Sequence, residues 1–233
     1  GCVLRSHAVV RRFTHLGRGN RVDPFVVLGG EPQDLKFDPS TVSWLKIGDD
    51  NVFREGVTIS RATGEGLETA VGSRTYWMAG SHAGHNATVE DDCILVNGAA
   101  VAGHAVIGRR TILSAHVGVH QFCWVSEGVM TQGGAGISMH VPPFAIVADV
   151  SRVVGLNVVG LKRNRELTDD DRAQIRQAFR ITYRSGLTVT AALAEMDRQQ
   201  HWGAAAGRFR DFVRRVLEAE KPYARGLCPL RLR

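Results

Sequence analysis

VGSRTYWMAGSHAGHNATVEDDCILVNGAAVAG, Val71 to Gly103, repeats with a period of six. Stepping in sixes from Val71 meets Trp77, Ala83, Val89, Leu95 and Val101, then Ile107, Leu113, Val119, Val125, Thr131 and Ile137. Eleven of these twelve positions are apolar. Four residues after each stands a small or β-branched residue, from Thr75, Ser81 and Ala87 through to Ala135 and Val141. Side chains return to one face every 3.6 residues in a helix and every 2 in a strand, so neither element holds this register. A β-sandwich would show period-two alternation between irregularly spaced turns.

The period dictates a left-handed parallel β-helix. Each hexapeptide makes one short strand and a turn, and three of them close a triangular coil of eighteen residues. Coils then stack at the strand spacing of about 4.7–4.9 Å. Ile47, Phe53 and Ile59 keep the same phase, whereas Leu4, Val10, Leu16, Val22 and Leu28 run in sixes in a shifted one. The register breaks between them, around GGEPQDLKFDPSTVSW (Gly29–Trp44), which reads as a loop thrown out of the solenoid. After Pro142-Pro143 the repeat is expected to dissolve. Thr168 before Asp169-Asp170-Asp171 predicts a helix start, Ile175, Phe179 and Tyr183 its apolar face, and Gly186 its stop. Further helices are expected over roughly 188–200 and 203–220. The expected fold is mainly β: a hexapeptide solenoid over 1–150, then a linker and C-terminal α-helical domain over 151–233. The chain opens Gly1-Cys2-Val3 without an initiator Met, and N-terminal coils are expected to be missing.

Composition narrows the function. The 233 residues are 44% hydrophobic, and no apolar stretch is long enough to span a bilayer. Cys2, Cys93, Cys123 and Cys228 form no CxxC pair or disulfide framework, which reads as a reduced, cytoplasmic protein. Residues 161–233 hold 16 Lys and Arg against 9 Asp and Glu, whereas residues 1–160 hold 13 against 14. A basic C-terminal third would suit nucleic acid, but with no recognition motif or basic-aromatic interleaving no nucleic-acid partner is expected. An acidic protein or a phosphorylated ligand or carrier fits equally well.

Eighteen residues per coil places His85, His104 and His120 along one solenoid edge, with His82 just before His85. Such a ladder lines a groove, and in a trimer that groove lies between subunits. His116 and His140 are read as surface residues. The carriers of a family resemblance are QDLK (Gln33–Lys36), SHAGH (Ser81–His85), AGH (Ala102–His104), VHQF (Val119–Phe122), VPPF (Val141–Phe144) and GLKR (Gly160–Arg163). In one hexapeptide frame, the chain resembles the acyl-[acyl-carrier-protein]–UDP-N-acetylglucosamine O-acyltransferases, which begin lipid A synthesis.

The resemblance implies transfer of an (R)-3-hydroxyacyl chain from acyl carrier protein to the sugar 3-hydroxyl, in a homotrimer and without a cofactor. It implies His85 as general base, a role suited to a neutral imidazole near pH 7. It implies the Gly103 N–H as oxyanion donor. His82, His104, His120 and Gln121 match positions around the sugar nucleotide, and Gln33, Asp34 and Lys36 match the out-thrown loop. Asn157 and Arg163 match positions near the nucleotide or the carrier's phosphopantetheine, and Gly133 a position that limits acyl length. Asn86 stands where the family carries an Asp beside the base, so an amide, which brings no charge, is expected to hold the imidazole. Gly80, Val159 and Asn164 also depart from the family's residues. Two other readings remain open: a non-catalytic paralogue that binds a sugar nucleotide or partner, and a zinc enzyme like the gamma-class carbonic anhydrases, for which His116 and His120 have suggestive spacing. An amine in place of the sugar hydroxyl is also open.

Overall fold

A computed structural model describes residues 1–199 and 201–231. Three sheets, parallel throughout except for the last strand of the first, form the sides of a prism. The first has nine strands, from Val3–Leu4 to Arg152–Leu156; the second has seven, from Val9–Val10 to Gly136–Ile137; the third has six, from Thr14–Leu16 to Trp124–Val125. Successive strands of a sheet pair in register eighteen residues apart, as in Trp77 with Leu95 and Ala83 with Val101. The winding is the left-handed parallel β-helix expected from the repeat. All twelve large repeat positions and all twelve small ones point inward, none more than 4% exposed. Each fully buried Leu, Ile or Val of this column contributes roughly 1.5–3 kcal/mol.

Two loops interrupt the winding. Val22 pairs with Phe53, thirty-one residues on, because residues 31–43 leave the solenoid as expected. The second interruption was hidden: Phe53 pairs with Trp77, twenty-four residues on, around an insertion at residues 61–67. The coil is lengthened by six residues, one repeat, which leaves the period of six unbroken. The two loops pack together through Arg61, whose side chain is buried and donates to Thr41 O, Pro39 O and Ser43 Oγ. Its guanidinium lies 5.2 Å from the Phe13 ring and 4.8 Å from that of Phe37. A cation satisfied by carbonyls and aromatic faces thus anchors the segment that carries Gln33, Asp34 and Lys36.

At the top, the six-residue period ends after Pro143 as expected, but the first sheet continues for two more strands, Met130 now pairing with Ile146 sixteen residues on. Ala145–Ala148 adds another strand to the first sheet and pairs antiparallel with Arg152–Leu156. Residue 150, the expected boundary, lies in the tight turn between them, where Asp149 and Ser151 adopt positive φ. A short helix, α1 (Val158–Arg163), was also not anticipated. Three helices follow: α2 (Asp169–Arg184), α3 (Val189–Arg198) and α4 (Ala204–Leu217). Thr168 and Asp171 form a capping box at the start of α2, so the acidic first turn satisfies orphan N–H groups. The expected end of α3 at residue 200 lies outside the described residues. Helix α4 docks on the third sheet: Glu127, buried, receives Arg109 from its own sheet and Arg208 from α4.

His140 is corrected from a surface residue to a fully buried one. Its ring stacks on Trp124 at 4.3 Å, and Tyr223 stacks on the same indole at 5.2 Å. His140 Nδ1 accepts from the Trp124 backbone N–H, so Nε2–H donates to Tyr223 O at 2.7 Å. The neutral ring therefore ties the C-terminal tail to the solenoid. Burial holds its pKa below the ordinary value of 6.5, and the backbone bond to Tyr223 only partly offsets this. The unfolded chain binds that proton first, so the stability is complete above about pH 6.5 and is lost progressively as pH falls below it. Urea unfolding should show a lower midpoint at pH 5.5 than at 7.5. A His140→Asn variant should be weaker at pH 7.5 yet lose less on acidification.

Candidate active site

The coil converts sequence spacing into columns. On the outer side of the second sheet His82, Ala100, Gly118 and Gly136 stand in register. Side-chain size falls up this column, leaving a shallow apolar trough ending near Val150, which is 68% exposed. Together with the adjoining corner it forms a groove of about 580 Å³. His82, His85, Gly103, His120 and Gln121 line it, as does Gln33 from the out-thrown loop. The trough was readable in the sequence by stepping eighteen from His82, but the small residues carry no chemistry to draw attention.

The corner beside the trough brings together His85, Asn86 and His104. It passes through the left-handed region at Asn86 (φ 59°), His104 (φ 61°) and Phe122 (φ 63°), one in each successive coil. Non-glycine residues cost roughly 1–2 kcal/mol there, Asn less than most. His85 Nδ1 lies 2.9 Å from Asn86 Oδ1, and the Asn86 N–H donates to Thr69 Oγ1 at 2.7 Å. The His104 ring meets His85 edge-on, with centroids 5.2 Å apart, and stacks on Phe122 at 4.7 Å. Phe122 in turn touches Tyr223 of the tail at 5.3 Å. His104 is thus set behind His85 and outside the groove lining. Burial, and secondarily the nearby His85, push its pKa down. His82 hydrogen-bonds Thr58 Oγ1 at 2.8 Å, and burial lowers its pKa too. Both are neutral at pH 7.

Gly103 is packed against His85: a Cβ there would lie 2.7 Å from its Cε1 and 2.8 Å from its Nε2. Its backbone N–H has no acceptor among the described residues. It is therefore available beside His85 for a developing negative charge.

The remaining predicted residues lie elsewhere. Asp34 and Lys36 are exposed, and Asp34 Oδ1 accepts from the Lys36 N–H within the loop. Gly133 is exposed at the corner between the first and second sheets, near Ala115 O and outside the groove lining. Asn157 and Arg163 line a different cavity, of about 670 Å³, on the first sheet with Arg110, Val159, Asn164 and Arg165. Both ends of the Asn157 amide are already engaged, accepting from Gly160 N–H and donating to Gly128 O. Among the described residues, no three His, Cys, Asp or Glu converge as metal ligands. Sequence reasoning missed Thr63, whose N–H and hydroxyl reach Asn86, and Arg61, because an unrecognised insertion carries both.

Comparison with known proteins gives this arrangement a context. A family model described as UDP N-acetylglucosamine O-acyltransferase, domain 2, matches residues 140–228. An acyl-[acyl-carrier-protein]–UDP-N-acetylglucosamine O-acyltransferase of Synechocystis is 44% identical over 82% of this chain and 68% of its own length. The chain belongs to this family. A member from Anaeromyxobacter is 39% identical over 79% of this chain and 72% of its own. A UDP-N-acetylglucosamine acyltransferase structure from Bacteroides fragilis superposes with a TM-score of 0.85 at 34% identity, covering 96% of this chain and 86% of that one.

The packing around Gly103 makes a direct prediction. Gly103→Ala should displace the His85 ring and lower acyl-transfer turnover by about 10², the scale of a misplacement near 1 Å. Its thermal unfolding midpoint should stay close to wild type, since Gly103 needs no positive φ.

Proposed function

We propose that this chain transfers an (R)-3-hydroxyacyl group from acyl carrier protein to the 3-hydroxyl of UDP-N-acetylglucosamine, with His85 as general base. The observation that carries the reading is His85 on the groove wall, held at Nδ1 by Asn86 Oδ1, with a free N–H at the adjacent Gly103. An amide oxygen only accepts, so the neutral imidazole keeps its proton on Nδ1 and offers the Nε2 lone pair. The sugar hydroxyl attacks the thioester carbonyl as its proton passes to Nε2. The oxygen–carbon bond forms, and the oxyanion takes the Gly103 N–H. Collapse breaks the carbon–sulfur bond, and His85 returns the proton to the departing thiolate of the phosphopantetheine arm. The apolar column above His82 suits the hydrocarbon tail, with Gly133 near its upper end. His82, His120, Gln121 and Gln33 suit the sugar, and Asp34 and Lys36, exposed on the same loop as Gln33, suit the polar part of the sugar nucleotide. No cofactor is needed for these steps.

We infer a homotrimer from the division of the site between two faces. The groove lies on the second sheet, but Arg163 and Arg165 lie beside the first-sheet cavity, where they suit a diphosphate or the carrier's phosphopantetheine phosphate. The first sheet also presents Tyr76, Ile94, Ile112, Met130 and Ile146 in a half-buried apolar column. Packing that column against the groove of a second copy would close it and unite the two halves. Among the described residues no helix is long and apolar enough to cross a membrane; a cytoplasmic location matches the reduced cysteines.

Acyl carrier protein is read onto α2. Arg176, Arg180 and Arg184 recur every four residues along one exposed face, without a carboxylate partner among the described residues. By contrast Arg172 is paired with Asp169, and Arg210 and Arg214 with Asp197. An unpaired basic stripe attracts an acidic protein and speeds its encounter.

Incubation with UDP-N-acetylglucosamine and a series of (R)-3-hydroxyacyl carrier proteins should yield an acylated sugar nucleotide by mass spectrometry, absent with His85→Ala. No product at any chain length from folded wild-type protein would overturn the reading in favour of a non-catalytic paralogue. Arg176→Glu combined with Arg180→Glu should raise KM for the acyl carrier protein about tenfold at low salt and less at high salt. KM for the sugar nucleotide should not move.

A further inference from the structure

The orientation of one amide decides whether His85 is a base. Asn86 places an oxygen at one end of its carboxamide and an NH₂ at the other, and the two ends have nearly the same shape. With oxygen toward His85, the ring carries its proton on Nδ1 and Nε2 is free to accept the substrate's proton. With nitrogen toward His85, the ring must accept at Nδ1 and carry the proton on Nε2, and it cannot act as the base. A carboxylate at this position would not have that second state.

The insertion at residues 61–67 resolves the choice. The Thr63 backbone N–H lies 3.1 Å and the Thr63 hydroxyl 2.8 Å from the same Asn86 oxygen that meets His85 Nδ1 at 2.9 Å. The hydroxyl donates or accepts and so leaves the amide unbiased. The backbone N–H only donates, so turning the NH₂ toward it would set two donors against each other in a partly buried site. The insertion is itself held in place, by Arg61 beneath the neighbouring loop and by the Gly66 N–H donated to Val42 O.

We propose that Thr63, through its backbone N–H, is a positioning residue for the base. It locks the Asn86 amide with oxygen toward His85, and so lets an amide fix the imidazole tautomer. This rests on the acyltransferase reading of His85, but its first test needs no turnover.

In protein labelled with ¹⁵N-histidine, with His85 assigned by comparison with His85→Gln, wild type should show the Nδ1–H tautomer above pH 7. Thr63→Val, which keeps the N–H, should show the same tautomer. Thr63→Pro, which deletes it, should show a mixture with Nε2–H. In kinetics, Thr63→Pro should lower kcat at least tenfold with little change in KM for either substrate. In an N86D background, where both ends of the side chain are oxygen, the same substitution should lower kcat less than threefold. An Nε2–H tautomer in wild type would overturn the proposal, as would an equal loss from Thr63→Pro in both backgrounds. If Thr63→Pro does not fold, the wild-type tautomer still decides. The Nδ1–H tautomer in a wild-type protein that makes no product would leave the lock standing and remove the acyltransferase reading.

Discussion

Everything in this molecule hangs on the register of the coil. Eighteen residues return the chain to the same side of the prism one strand spacing higher, so each position stands on its counterpart below. Inward, this stacks large on large and small on small, and leaves twenty-four consecutive repeat positions buried. Outward, the same rule turns residues far apart in sequence into neighbours. Gly103 lies over His85, Phe122 over His104, and the trough over His82 without any helix or hinge to bring them together. A rigid solenoid is well suited to this, because displacing one outward residue would require moving a strand paired on both sides.

The same periodicity explains what could and could not be read beforehand. The solenoid, the first loop, the capped start of α2 and the histidine edge all follow from local residue patterns. The insertion at 61–67 escaped because it lengthens its coil by six residues, one repeat, so Ile59 and Val71 stay in phase across it. Thr63 escaped with it, twenty-three residues from the Asn86 side chain that it meets. His140 was misread for a different reason. Its partner Tyr223 lies eighty-three residues on, in a tail whose return to the solenoid no periodic signal announces. The antiparallel strand at Arg152–Leu156 replaces the repeat with ordinary sheet pairing, which the loss of period six concealed. Fold was legible because it repeats; the supports of the site were not, because each occurs once.

With His85 as the proposed base, an amide rather than a carboxylate beside it changes which electrostatic problem the site must solve. In the proposed mechanism His85 becomes an imidazolium during attack, and Asn86 offers it a dipole but no counter-charge. The nearest ring is His104, with centroids 5.2 Å apart. Were His104 also protonated, two cations at that distance would repel by about 3 kcal/mol at an effective dielectric near 20. That would slow the step by roughly two powers of ten. Packing His104 against Phe122, out of the groove, lowers its pKa through burial and so favours its neutral form. The edge-to-face contact of Phe122 with Tyr223 therefore has an electrostatic consequence as well as a mechanical one. Without a carboxylate to stabilise the cation, the site depends on excluding a second one.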